Sequence, residues 1–229
     1  MSDVPQDLVR LDGVCRVFGE EPDRVVAVDD VTLSFGVGEL ICLQGASGSG
    51  KSTLLNLVAG LDLPDSGTVT VDEELVSAMS EDHRADLRLR RVGVVFQDDN
   101  LVRELTALEN VSLPLLARGL SSREARELSR AALERVGVAA VGARHPDQMS
   151  GGQRQRVGIA RGLVGDRSIL VADEPTGALD SANSADLFAL LRELCDNAGA
   201  AVLVATHDPL AHDYATRTVT VRDGRMVES

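Results

Sequence analysis

The segment that most constrains the fold is the octapeptide GASGSGKS at residues 45–52. It fits the pattern G-x-x-x-x-G-K-[ST], and it lies between a short apolar run (39–45) and a stretch with leucines at helical spacing (51–61). Small residues allow successive backbone N–H groups to surround an anion, and the following helix directs the positive end of its dipole toward the same charge. A strand, a glycine-rich loop and a helix in this order form half of a βαβ unit. We therefore expect an α/β chain with a phosphate site.

Within this loop the residue types predict individual roles. Lys51, the only lysine among 23 lysines and arginines, is expected to contact the β- and γ-phosphates. The hydroxyl of Ser52 is expected to ligate Mg²⁺. We expect the whole loop to surround the phosphate chain; its residues are Gly45, Ala46, Ser47, Gly48, Ser49, Gly50, Lys51, Ser52 and Thr53.

A second apolar run, SILVAD (168–173), ends in two consecutive carboxylates, Asp173 and Glu174. Ligands of open α/β sheets bind at the carboxyl ends of the strands, so these side chains should lie beside the phosphate loop. We expect Asp173 to hold Mg²⁺ through water and Glu174 to polarise an attacking water molecule.

The remaining pattern predicts a mostly parallel sheet, a small antiparallel sheet and a helical insertion. Further strands are predicted by short runs of apolar or alternating residues at 8–18, 25–35, 67–75, 92–97 and 201–207, and the chain ends in a hairpin around Asp223-Gly224. A helix or turn is predicted at 81–91, and helices are predicted at 106–120, 121–138, 151–164 and 181–197. In the helix at 121–138, Ser121 or Ser122 is the expected N-cap, and Leu128, Ala132 and Val136 form the expected apolar face.

Composition excludes several classes of protein. The net charge of −13 disfavours binding to nucleic acid or to anionic lipid. Only 2% of the residues are aromatic, so the core must be aliphatic, and the three cysteines (Cys15, Cys42 and Cys195) have no metal-ligand spacing. No apolar run approaches the roughly 18 residues that a membrane span needs, so we expect a soluble chain whose membrane role requires a partner.

The pentapeptide Met149-Ser150-Gly151-Gly152-Gln153 resembles the LSGGQ signature of the ABC ATPases, with Met in place of Leu. Ser150 would cap the helix that begins at Gly151, which gives a second helix end suited to an anion. The resemblance covers essentially the whole chain. It implies one ABC ATPase domain over 1–229: a P-loop NTPase core with antiparallel β structure (1–97 and 158–229) and a helical subdomain (98–157).

The resemblance also implies ATP and Mg²⁺ as ligands and a head-to-tail homodimer. In this family the signature of one subunit (here Ser150, Gly151, Gly152 and Gln153) closes over the γ-phosphate held by the other. Gln97 matches the glutamine that contacts Mg²⁺ and water, and His207 matches the switch histidine. Asp180 matches a residue that contacts the other subunit, and Phe18 takes the place of the aromatic that stacks on adenine.

Two segments, LTALENVSLPL (105–115) and DEPTGALD (173–180), resemble one subgroup of the family. That subgroup contains lipoprotein-releasing, macrolide-exporting and cell-division ATPases. The resemblance implies a membrane permease partner near Glu104 and a location on the cytoplasmic face of the membrane. One alternative is a soluble ABC ATPase of repair, translation or cluster assembly. Another is a module that binds nucleotide without hydrolysis, which the presence of Glu174 and His207 disfavours.

Overall fold

The structure is a computed structural model that describes residues 7–96, 100–177 and 179–227. Its strands, in chain order, are β1 (Asp7–Phe18), β2 (Val25–Gly36), β3 (Leu40–Gln44), β4 (Ser66–Val71), β5 (Glu74–Leu75), β6 (Val92–Val95), β7 (Ile169–Asp173), β8 (Ala201–Ala205), β9 (Arg217–Arg222) and β10 (Arg225–Val227). Its α-helices are α1 (Lys51–Val58), α2 (Glu81–Arg90), α3 (Ala107–Ala117), α4 (Ser122–Arg135), α5 (Gly151–Leu163), α6 (Ser181–Ala198) and α7 (Ala211–Tyr214).

These strands form two sheets. The larger has the order β10-β9-β3-β8-β7-β6, and all its pairs are parallel except that of β10 with β9. The smaller is antiparallel, with the order β2-β1-β4-β5. The predicted α/β class, with a mostly parallel core and a small antiparallel sheet, is confirmed.

The core lies on both faces of the larger sheet, because its central strands are apolar at nearly every position. One face of β3, including Leu40 and Cys42, packs with α3 to α6. The other face, including Ile41 and Leu43, packs with α1 and the antiparallel sheet. Continuous burial of this kind is typical of parallel strands covered on both sides.

Three predictions about these elements were wrong in detail. The single strand expected at 67–75 is two strands, because Asp72 and Glu73 adopt positive φ angles of 49° and 66° and reverse the chain. Helix α1 ends at Val58, so Leu61 lies beyond it and is exposed. On α4, whose N-cap is Ser121, Leu128 was expected on the apolar face but is exposed.

Helix α4 turns inward a face that only partly matches the expected one: Val136 is buried and Ala132 packs against the core, but Leu128 is exposed. Its buried residues are Ala125, Ser129 and Leu133. The small side chains allow close approach to α3, where the hydroxyls of Ser129 and Ser112 lie 2.9 Å apart in the core. Helices α3, α4 and α5 pack on one another beside the sheet, and the expected subdomain boundary at 157 falls inside α5. Among the helices of the described residues, none has the length and apolar composition needed to cross a membrane.

Candidate nucleotide site

The candidate site lies at the carboxyl edge of three neighbouring parallel strands, β3, β8 and β7. The glycine-rich loop follows β3, His207 follows β8 by two residues, and Glu174 directly follows β7. A cleft of about 450 Å³ lies between them. The residues that line it are Ala27, Gly45, Ser47, Gly48, Gly50, Lys51, Ser52, Thr53, Asp173, Glu174 and His207.

Two glycines show that the loop backbone must stay bare. Gly50, the N-cap of α1, has a φ of 107°, and a Cβ there would lie 2.1 Å from the carbonyl oxygen of Ala27 on β2. Gly48 has a φ of 79° with no atom within 4 Å of a Cβ position, so its constraint is conformational. The loop therefore presents main-chain groups to the cleft, which suits an anion at the start of a helix.

Two polar side chains of the loop, those of Lys51 and Ser49, are buried. The Nζ of Lys51 donates to the carbonyl oxygens of Gly45 (2.7 Å) and Ala46 (2.9 Å), so the buried ammonium lies across the cradle. Among the described residues, the buried hydroxyl oxygen of Ser49 has no hydrogen-bond partner. A buried polar group without a partner is costly, so a ligand that brings oxygen atoms to this loop would relieve it.

Glu174 and His207 form a hydrogen-bonded pair at the rim of the cleft. Glu174 has a φ of 46°, and its N–H donates to the carbonyl oxygen of Ala205 at 2.8 Å. The carboxylate oxygen Oε2 lies 2.9 Å from Nδ1 of His207 and also accepts the backbone N–H of His207 at 3.3 Å. This hydrogen bond and the charge of Glu174 raise the pKa of His207 above its ordinary value. A carboxylate held in this way can accept a proton from water in the cleft.

Asp173 and Ser52 both line the cleft, and their oxygen atoms are the hard ligands that Mg²⁺ takes in proteins. Across the described parts of the chain, no group of three or more His, Cys, Asp or Glu side chains could hold a metal ion. The donors present thus fit a cation that shares its coordination with phosphate and water. They do not form an all-protein cage.

The signature residues lie elsewhere in the molecule. The Ser150 hydroxyl accepts the N–H of Gln153 (3.3 Å), and the side chain of Gln153 accepts the N–H of Ser150 (3.0 Å), which forms a capping box at the start of α5. Asp180 caps α6 and bonds Asn183, whose side-chain oxygen would lie 3.6 Å from a Cβ on Gly152. None of residues 150–153 is among the described residues that line the cleft.

The remaining candidates have different positions. Phe18 ends β1, is 41% exposed and is not among the residues that line the cleft. Gln97 lies outside the described residues. Sequence reasoning missed Ala27, which lines the cleft from β2; a lone alanine in a strand gives no signal of such a role. It also missed Arg16, whose guanidinium lies 4.6 Å from the centre of the Phe18 ring.

A glycine-rich loop between a parallel strand and a helix, opposite a strand that ends in Asp-Glu, defines a P-loop nucleotide-binding protein. The sequence profile of the ABC transporter family matches residues 28–177. The chain therefore belongs to the ABC transporter family, and it is an ATP-binding and ATP-hydrolysing cassette of that family.

Individual relatives match this chain over nearly its full length. The chain is 39% identical to the lipoprotein-releasing system ATP-binding protein LolD of Chromohalobacter salexigens, over 96% of this chain and 93% of that protein. It is 42% identical to the macrolide export ATP-binding/permease protein MacB of Burkholderia pseudomallei, over 96% of this chain but only 34% of that protein.

A solved structure agrees as well. The dimeric structure of MJ0796, a bacterial ABC transporter cassette, matches with a TM-score of 0.87 and 36% identity, over 96% of this chain and 97% of that one. The same cassette has also been solved in a post-hydrolysis state bound to ADP and Pi, with the same TM-score. All of these relatives are transporter components, which favours a transporter cassette over a soluble repair or translation ATPase.

Proposed function

We propose that this chain energises a membrane permease, for export or for mechanical work at the membrane, through ATP-driven pairing of two copies. The observation that carries this proposal is the cleft in which Glu174, paired with His207, faces the glycine-rich loop. The similarity to LolD and MacB supports the choice of an export or release system. In MacB the matching part is about a third of a longer ATP-binding/permease protein, which supports a permease as the partner here.

In this proposal the loop residues 45–53 bind the triphosphate. Lys51 moves from the loop carbonyls to the β- and γ-phosphates, where its charge has a stronger partner. Ser52, Asp173 and Gln97 hold Mg²⁺, which when bound neutralises charge on the phosphates. Glu174 orients the attacking water and accepts its proton.

His207 acts as the switch in this scheme. Beside Glu174 its raised pKa favours the imidazolium form. An imidazole that leaves Glu174 can donate a hydrogen bond to the γ-phosphate, whose negative charge would take the place of that of Glu174. Once the imidazole leaves, Oε2 of Glu174 is available to water. The pair is exposed on the histidine side, with 77% of that side chain accessible, so this movement needs no repacking of the core.

The second half of each site comes from the other copy of the chain. Ser150, Gly151, Gly152 and Gln153 approach the γ-phosphate, and Asp180 contacts the partner copy. The separation of residues 150–153 from the cleft within one chain supports this, because a helix end suited to anions otherwise has no anion to bind. Two copies placed head to tail would give two composite sites.

We propose that the permease binds at the loop that leads into α3 and that this chain lies on the cytoplasmic face of the membrane. Val102, Arg103 and Glu104 are exposed there. The buried side chain of Asn110 holds the loop: its Oδ1 accepts the N–H of Val102 (2.8 Å), and its Nδ2 donates to three carbonyl oxygens at 3.0–3.1 Å. A loop fixed from within can present a defined surface to a partner.

ATP hydrolysis by two variants tests the proposal. Glu174→Gln should lower turnover at least a hundredfold while ATP binding is retained, because the base is lost and the phosphate loop is intact. Lys51→Ala should instead weaken ATP binding at least tenfold, because a charge-assisted contact to phosphate is lost. Phosphate release and titration calorimetry measure the two effects. Full turnover in Glu174→Gln, or unchanged ATP affinity in Lys51→Ala, would contradict the assignment.

A further inference from the structure

The tip of the β1–β2 hairpin carries an exposed apolar patch beside the nucleotide cleft. It consists of Phe18, Val25 and Val26, which are 41%, 59% and 44% exposed. Phe18 pairs with Val25 across the hairpin, and Ala27, two residues further along β2, lines the cleft. Two residues of a strand span about 7 Å, so the patch lies within reach of the base of a nucleotide whose phosphates occupy the loop.

One face of the Phe18 ring is covered by a cation. The guanidinium carbon of Arg16 lies 4.6 Å from the ring centre, which is a cation–π distance. A free arginine on an exposed strand end would extend into water, so another contact must hold Arg16 over the ring. Its position is set by two carboxylates.

The two carboxylates come from the turn that follows α1. Nε of Arg16 donates to Oδ2 of Asp62 (2.8 Å), and Nη1 donates to Oδ1 of Asp65 (3.0 Å). Arg16 and Asp62 are both more than half buried, with 22% and 25% of their side chains exposed. A planar guanidinium held at two nitrogens by two acids has little rotational freedom.

The backbone beside Phe18 is held by the same turn. Strand β1 pairs with β4 only as far as Cys15, and the pairing with β2 is irregular around Arg16. Beyond the end of the β4 pairing, the N–H of Val17 donates to Oδ2 of Asp65 at 2.6 Å. Asp65 therefore fixes both the main chain before Phe18 and the cation over its ring.

We infer that Arg16 is a positioning residue for the nucleotide base: held by Asp62 and Asp65, it fixes the Phe18 ring so that the ring's open face stacks on the base. This inference rests on Phe18 being the base platform, that is, the aromatic residue that stacks on adenine, as the resemblance to the ABC ATPases implies. The turn with both aspartates follows α1, the helix that begins at the phosphate loop. Arg16 thus joins the base platform to the end of the phosphate-binding helix.

A calorimetric comparison of ATP with inorganic tripolyphosphate, in the full chain, tests this inference. Arg16→Gln should weaken ATP binding about threefold to tenfold, because the ring is no longer fixed, and should leave tripolyphosphate binding unchanged. In turnover, KM for ATP should rise by the same factor with kcat unchanged. Arg10→Gln is the matched control: it removes the same charge from the same strand, where the exposed Arg10 side chain pairs with Asp12, and it should change neither affinity.

Two further variants keep the outcomes separate. Asp62→Asn, which loosens Arg16 without altering β1, should weaken ATP binding in the same direction and leave tripolyphosphate binding unchanged. In a Phe18→Ala background, Arg16→Gln should have no further effect on ATP. An equal loss for ATP and tripolyphosphate in Arg16→Gln, or a loss that persists without the ring, would overturn the positioning role alone. Unchanged ATP affinity in Phe18→Ala would instead overturn the base platform itself.

Discussion

At the scale of single residues, the pair of Glu174 and His207 is the feature with the clearest chemical consequence. Glu174 takes a left-handed backbone conformation, uncommon for a residue with a side chain, and its carboxylate accepts two hydrogen bonds from His207. The pKa of His207 is raised by this hydrogen bond and by the charge of Glu174. The pair therefore stabilises the fold fully below the unfolded pKa of about 6.5, and its contribution is lost as pH rises through the folded pKa.

Replacing the carboxylate should reverse this shift. In Glu174→Gln the pKa of His207 is expected to fall toward its ordinary value, because both the charge and the strongest acceptor are removed. Titration of the imidazole resonances by NMR measures this pKa. A titration of His207 that is the same in both proteins would show that the carboxylate does not hold the imidazole.

At the scale of elements, the strands were easier to predict than the faces of the helices. Central strands such as β7 and β8 are apolar at nearly every position, so any register buries them, and their ends could be placed from Asp173 and the Thr206-His207 pair. The face expected for helix α4 included Leu128, which is exposed. Its buried residues include Ala125 and Ser129, whose small side chains give a weak hydrophobic signal although they permit the close contact with α3.

Two leucines of α4 therefore make a test of this packing. Leu133 is 1% exposed, and Leu133→Ala should lower the free energy of unfolding by about 2–5 kcal/mol, since it leaves a cavity in the core. Leu128 is 42% exposed, and Leu128→Ala should change it by less than about 0.5 kcal/mol. Urea unfolding followed by circular dichroism measures both. Equal losses in the two variants would contradict the observed orientation of the helix.

At the scale of the whole molecule, the sequence predicted that Asp173 and Glu174 lie beside the phosphate loop, as they do, but not where the helical segment carries residues 150–153. The motifs at 45–52 and 150–153 are both helix starts suited to anions, and both are recognisable in the sequence. Their separation in space depends on how the three-helix insertion packs on the sheet. The contacts of Arg16 with Asp62 and Asp65 span 46 and 49 residues, and no local pattern announces them.

Because the two motifs are separated within one chain, a composite site requires a second copy of the chain. The negative net charge of each copy opposes association, so contacts through bound nucleotide would have to outweigh that repulsion. Association should therefore depend on ATP and persist only while hydrolysis is blocked. In Glu174→Gln the nucleotide is expected to stay intact and hold two copies together.

The most direct test is the mass of Glu174→Gln by light scattering during size exclusion, with and without ATP and Mg²⁺. We predict a single-chain mass without nucleotide and a two-chain mass with it. We also predict a single-chain mass when Ser150→Arg is added, while calorimetry still detects ATP on the loop. A single-chain mass for Glu174→Gln with ATP bound would contradict the composite site.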